Sequence, residues 1–157
     1  MFKKVPKSTL NRILEIYVPK YRYLKEAEIS FPEANGSFSL GDTFYTSTRL
    51  RHMTSIEAQL CLNQLCYTAF GEWLTEKDAK INTEISFNKY LELMKENMFI
   101  IKSNINFKRQ IETNKEIQGK IKVIRTKKFK GLYLAFLDFE FEKGKSEGNL
   151  ELALKLN

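Results

Sequence analysis

The chain is poor in the residues that staple, kink or chelate. Its 157 residues include two cysteines, three prolines, seven glycines and one histidine, His52. Two thiols make neither a disulfide framework nor a zinc site. Cys61 and Cys66 stand five residues apart in one helical stretch. That offset puts them on different faces, so they cannot bridge and are expected to be reduced and packed in the core. No apolar stretch reaches the roughly 20 residues that span a bilayer; the longest are broken at Asn63, Gln64 or Asp138. Met1 to Lys7 carry charge with no apolar run behind them, so no secretory signal is read there. A soluble cytoplasmic protein without a metal site is expected.

What is present is ordinary globular material. Hydrophobic residues make up 43% and charged residues 29%, with twelve Phe and seven Tyr. The length fits one domain over residues 1–157, burying about 68–70% of its unfolded surface in one core. The net charge of +7 is uneven. Between Lys102 and Lys130 ten Lys and Arg face only Glu112 and Glu116, a local net of +8, so the remainder nets −1. Such a segment attracts polyanions: nucleic acid, a membrane surface, coenzyme A phosphates or an acidic carrier protein. It lacks the interleaved aromatics of a base-stacking surface and no nucleic-acid motif accompanies it, so nucleic acid is set aside.

Periodicity supplies the elements. Ser8 reads as an N-cap for a short amphipathic helix with Leu10, Ile13, Leu14 and Tyr17 on one stripe, ended at Pro19. Alternation from Tyr21 to Phe31 predicts a strand. Asn35-Gly36 predicts a tight hairpin turn, with a second strand from Ser37 to Thr48 bent at Gly41-Asp42. Thr54-Ser55-Ile56-Glu57 reads as a capping box that opens a helix to Leu74, apolar all round and therefore buried on most sides. A second helix spans 86–97, and period-two patterning then continues to the C-terminus. The sum is an α+β chain: a short N-terminal helix, and a long central helix wrapped by a curved antiparallel sheet of about six strands, the hotdog layout.

Several stretches together resemble the FcoT-like thioesterase family. They are Arg22-Tyr23-Leu24, Asn35 through Asp42, Tyr45, His52, Glu57 through Phe70 with its Asn63-Gln64 pair, and Gly148 through Leu154. The resemblance runs from about Leu14 to the C-terminus. It implies a hotdog enzyme acting on fatty acyl thioesters of coenzyme A or acyl carrier protein. Members in isonitrile lipopeptide pathways add the amine of glycine to the β-carbon of a 2-enoyl-acyl-carrier-protein. The family's site residues fall on Tyr17, Tyr45, His52 and Asn63, and a site asparagine at the helix start falls on Thr54. No cofactor is implied beyond the coenzyme A or phosphopantetheine that the substrate carries. A homodimer, or a multiple of one, is expected from edge-to-edge sheet pairing.

Those residues suit thioester chemistry, which develops negative charge on the carbonyl oxygen. A helix N-terminus offers unpaired N–H groups to that oxygen, here those of Ser55 and Ile56. His52 is a candidate general base or acid, histidine being the side chain suited to proton exchange near neutral pH. Tyr17, Tyr45 and Asn63 are candidates for orienting water, glycine or the thioester, and Arg49 and Arg51 for holding a glycine carboxylate. An apolar tunnel along the helix would take the acyl chain. Glu57 is accounted for by the capping box. The competing reading is a noncatalytic module that binds acyl chains or their carrier.

Overall fold

A computed structural model describes residues 1–75, 81 and 85–156. In chain order these form β1 (Lys3–Lys4), α1 (Lys7–Leu14), a 3-10 turn (Pro19–Tyr21), β2 (Leu24–Ser30), β3 (Glu33–Phe38), α2 (Ser55–Thr75), α3 (Phe87–Glu96), β4 (Met98–Phe107), β5 (Ile117–Phe129), β6 (Leu132–Phe141) and β7 (Ser146–Lys155). The strands make one antiparallel sheet in the order β1-β2-β3-β5-β6-β7-β4, curved around α2. This is the expected α+β hotdog layout, with seven strands in place of six because Lys3–Lys4 adds a short pair beside β2.

The centre of the fold is α2. Cys61, Leu62, Leu65, Cys66, Ala69, Phe70 and Leu74 have essentially no exposed surface. Each large apolar side chain so buried stabilises the fold by about 1.5–3 kcal/mol. A buried amide fixes the helix against the sheet: the Leu24 N–H donates to Gln64 Oε1 at 3.0 Å, and Gln64 Nε2 donates to the Tyr21 carbonyl at 2.7 Å. Gln64 is therefore a structural latch. Tyr90 of α3 and Ile13 of α1 cover the C-terminal part of α2 at Gly71, where an added Cβ would meet Tyr90 Cε1 at 2.8 Å.

The N-terminal third differs from expectation in three places. Pro6, not Ser8, stands at the start of α1, which ends at Leu14; the chain then turns at Pro19. The β2–β3 turn falls at Phe31-Pro32, joined by a cis peptide, and Asn35-Gly36 lies inside β3. Gly36 is needed for close approach: a Cβ there would come within 2.9 Å of Leu24 Cδ1 and 3.1 Å of Leu65 Cδ1. A packing glycine and a turn glycine look alike in sequence. The strand expected to reach Thr48 stops at Phe38, and Gly41-Asp42 belongs to the loop that follows.

Burial leaves a pH signature. It raises the Cys66 thiol from 9.0 to about 12 and is the main cause lifting the Tyr23 phenol from 10.0 to about 12. Cys61 is raised as well, by burial first and by Glu57 second. The unfolded chain releases these protons at their ordinary values while the native chain keeps them, so stability present below pH 9 is lost as pH rises from about 9 to 12. Urea unfolding from pH 8 to 11 should show this decline, shallower in Cys66→Ala; stability flat to pH 11 would contradict it.

Candidate functional site

The start of α2 carries the least ordinary chemistry in the molecule. Thr54 caps the helix: its carbonyl accepts from the Ala58 N–H at 3.0 Å and its Oγ1 accepts from the Ile56 N–H at 3.3 Å. The capping box expected with Glu57 is not formed. Glu57 turns inward, where only 2% of its surface is exposed, and its Oε2 accepts from the Thr54 hydroxyl at 2.5 Å and from the Tyr45 hydroxyl. The same two hydroxyls lie 2.7 Å from each other. Glu57 Oε1 is buried and has no hydrogen-bond partner among the described residues. Burying a carboxylate costs free energy unless its lone pairs are satisfied, so a half-satisfied one points to a functional group.

Tyr45 reaches this carboxylate from the loop after β3. Edge-to-face contacts run from Tyr21 to Phe44 (5.2 Å) and from Phe44 to Tyr45 (5.1 Å). Thr43 accepts from the Leu50 N–H at 3.2 Å, and Thr46 donates to the Thr48 carbonyl at 2.6 Å, tying the loop to itself. Burial, followed by the bond to Glu57, raises the Tyr45 phenol above its ordinary value, so it stays a donor at neutral pH.

Beside this cluster opens a cleft of about 660 Å³ lined by His52, Thr54, Ser55, Ile105, Phe107 and Arg109, among others. His52 is exposed and held by its backbone: it bridges to Glu112, with the Met53 N–H on the Ile111 carbonyl (2.8 Å) and the Thr113 N–H on the Arg51 carbonyl (3.1 Å). The cap occupies the Ile56 N–H. Ser55 lines the cleft, and its N–H has no acceptor among the described residues.

The remaining sequence candidates spread along the fold. Asn63 is half-buried two turns on, its Oδ1 accepting from Gln59 Nε2 at 2.8 Å, while Gln59 Oε1 accepts from Ser103 of β4. Tyr17 stands near Cys66 and Tyr67, about 20 Å along α2 from Thr54 at 1.5 Å per residue. Burial raises its phenol strongly. Arg49 donates to the carbonyls of Leu40 (3.3 Å) and Thr113 (3.4 Å), so it braces the loop. Arg51 is exposed in an adjoining cleft of about 700 Å³ that shares Gln110 with the first. Tyr45, His52, Thr54 and Ser55 thus converge, and Tyr17, Asn63 and Arg49 do not. Glu57 is the residue that the sequence reading weighs as a catalytic carboxylate and assigns instead to a capping box.

The space between α2 and the sheet is not a tunnel. Phe38, Phe70, Phe141, Leu62 and Leu65 fill it with side chains at 0–1% exposure. The face of α2 that the rest of the fold leaves half-covered carries Ile56, Leu60, Asn63 and Tyr67 at helical spacing.

Residues 12–154 match the FcoT-like thioesterase domain. The chain belongs to this family. A (2E)-enoyl-ACP glycyltransferase of Mycobacterium tuberculosis is 29% identical over 116 residues, 71% of this chain and 63% of that protein, so the match spans less than two thirds of the relative. The protein of the same name from Mycobacterium marinum is 27% identical across 95% of this chain and 86% of its own length. Among solved structures, a mutant thioesterase of Pseudomonas aeruginosa superposes with a TM-score of 0.55 at 10% identity, covering 98% of this chain and 97% of its own. The CurJ dehydratase reaches 0.57 at 10% identity, over 98% of this chain and half of that one. The hotdog fold is thereby established.

Proposed function

We propose that this FcoT-like protein is an enzyme that adds the amine of glycine to the β-carbon of a 2-enoyl thioester carried by acyl carrier protein or coenzyme A. The observation that carries the enzymatic reading is the free, buried Oε1 of Glu57 beside the first turn of α2. The choice of glycine addition over hydrolysis is supported by the names of the mycobacterial relatives.

In this reading Glu57 accepts a proton from the glycine ammonium, with Tyr45 and Thr54 holding the carboxylate in place. The freed amine forms the N–C bond at the β-carbon, and the alkene electrons move toward the thioester oxygen as an enolate. The Ser55 N–H and the positive end of α2 stabilise that oxygen. A proton returns to the α-carbon, for which His52 is the exposed candidate. Arg51, in the adjoining cleft, is assigned to the glycine carboxylate, and the acyl chain follows Ile56, Leu60 and Tyr67, with Asn63 and Tyr17 along the way. Hydrolysis would use the same device, Glu57 drawing the proton from water for attack at the carbonyl carbon.

A second copy of the chain completes the chain-binding groove in this account. The sheet ends at β4, whose Ser103 reaches Gln59 of α2, and Phe99 and Ile101 on this strand are more than half exposed. Sedimentation should therefore give twice the monomer mass or a multiple of it, and a monomer at micromolar concentration would remove this part.

The reaction is tested with C8–C16 acyl-CoA and 2-enoyl substrates, with and without glycine, followed by mass spectrometry and a thiol reporter. A glycine adduct of the enoyl thioester, formed without thiol release, is expected. Thiol release alone would favour hydrolysis. Thermal stabilisation by acyl-CoA with neither product would mean a binding module.

A further inference from the structure

The basic segment that stands out in the sequence is divided by the fold. Lys102 pairs with Glu151 (3.8 Å), Lys115 with Glu112 (3.9 Å), Lys120 and Lys122 both with Glu33 (3.3 and 3.8 Å), and Lys108 with Glu147. Arg125, Lys127, Lys128 and Lys130 go to the far tip of the β5–β6 hairpin, at the opposite end of the sheet from His52 and Thr54. What is left near the α2 start is Arg109, and there the chain adds two lysines from outside the segment.

Those two come from the β6–β7 turn. Glu142, Lys143 and Gly144 all take positive φ (48°, 54° and 86°), folding the turn tightly. The Lys145 carbonyl accepts from the N–H groups of both Lys108 (2.8 Å) and Arg109 (3.1 Å), which ties the turn to the end of β4. Two carboxylates stand nearby: Glu142 lines the same cleft and accepts from the Gln118 N–H at 2.8 Å, and Glu147 pairs with Lys108. Arg109, Lys143 and Lys145 have no carboxylate partner among the described residues. They line a cleft of about 580 Å³, and its Lys108 and Arg109 also line the cleft containing His52, Thr54 and Ser55. With Lys108 paired to Glu147, three cations share this cleft with the one carboxylate of Glu142, and a bound anion relieves the excess positive charge.

We infer that Arg109, Lys143 and Lys145 form a binding site for the phosphate of the pantetheine arm that carries the thioester. The inference rests on the acyl-thioester reading above. With the thioester at Ser55, the arm leaves the reaction cleft past Arg109 and delivers its phosphate to the β6–β7 turn. Coenzyme A and a carrier-bound phosphopantetheine share this group.

The test is calorimetric binding of unreactive dodecyl thioethers of pantetheine, 4′-phosphopantetheine, coenzyme A and a phosphopantetheinylated bacterial acyl carrier protein. For the wild type, adding the phosphate should tighten binding about tenfold. The double variant Lys143→Glu, Lys145→Glu should lose that gain for every phosphorylated ligand and bind the pantetheine thioether within twofold of wild type. The matched variant Lys127→Glu, Lys128→Glu at the far hairpin should bind all four within twofold of wild type.

Equal binding of pantetheine and phosphopantetheine thioethers by the wild type would overturn the phosphate site and leave the acyl-thioester reading standing. So would an equal loss in the hairpin variant. A loss restricted to coenzyme A would move the contact to its nucleotide phosphates, and one restricted to the carrier would replace the site with a protein–protein surface; both overturn the assignment. Failure of the wild type to bind any thioether would take down the acyl-thioester reading itself, and this site with it.

Discussion

A carboxylate taken out of water at the start of a buried helix constrains the rest of this structure. Glu57 can be buried there because two hydroxyls converge on one of its oxygens, from Thr54 and from Tyr45. Thr54 is placed by its role as helix cap, and Tyr45 by the aromatic run from Tyr21 through Phe44. The arrangement thus links the helix, the β3–α2 loop and the turn before β2. It also leaves one oxygen uncompensated, an expense that packing alone does not explain. The positive end of α2 lowers that expense and supplies the donor that an acyl oxygen would need.

The same helix explains where a long substrate can go. Its inner faces are sealed by the sheet, by α1 and by α3, with Gln64 as a polar latch in an otherwise apolar contact. Its remaining face is only half-covered and runs beside the inner side of the edge strand β4, where Ser103 reaches Gln59. The proposed function has a second chain cover this face along the free edge of β4. In the proposed function, catalytic group, chain groove and subunit contact would be three uses of one helix.

The sequence was most informative where long-range contacts matter least. The extent of α2, its buried character, the two reduced cysteines and the strands after residue 98 are all visible as periodicity. The hairpin at Asn35-Gly36 was not, because Gly36 is dictated by Leu24 and Leu65 across the core and not by a turn. Glu57 was hidden for a related reason. Its spacing from Thr54 fits a capping box, and only the arrival of Tyr45 from twelve residues upstream turns the carboxylate inward. The basic run misled by proximity in sequence: the sheet returns Glu33, Glu147 and Glu151 to its lysines, while Lys143 and Lys145, outside the run, gather at the cleft.

The most direct test is the turnover of Glu57→Gln, measured on a 2-enoyl thioester with glycine alongside its melting temperature and its affinity for an unreactive dodecyl thioether. The side chain keeps its size and still accepts from Tyr45 and Thr54, but it can no longer take a proton. A rate reduced by about 100-fold or more, with melting temperature and affinity preserved, is the predicted result. A rate within threefold of wild type would contradict the account, whatever the reaction proves to be.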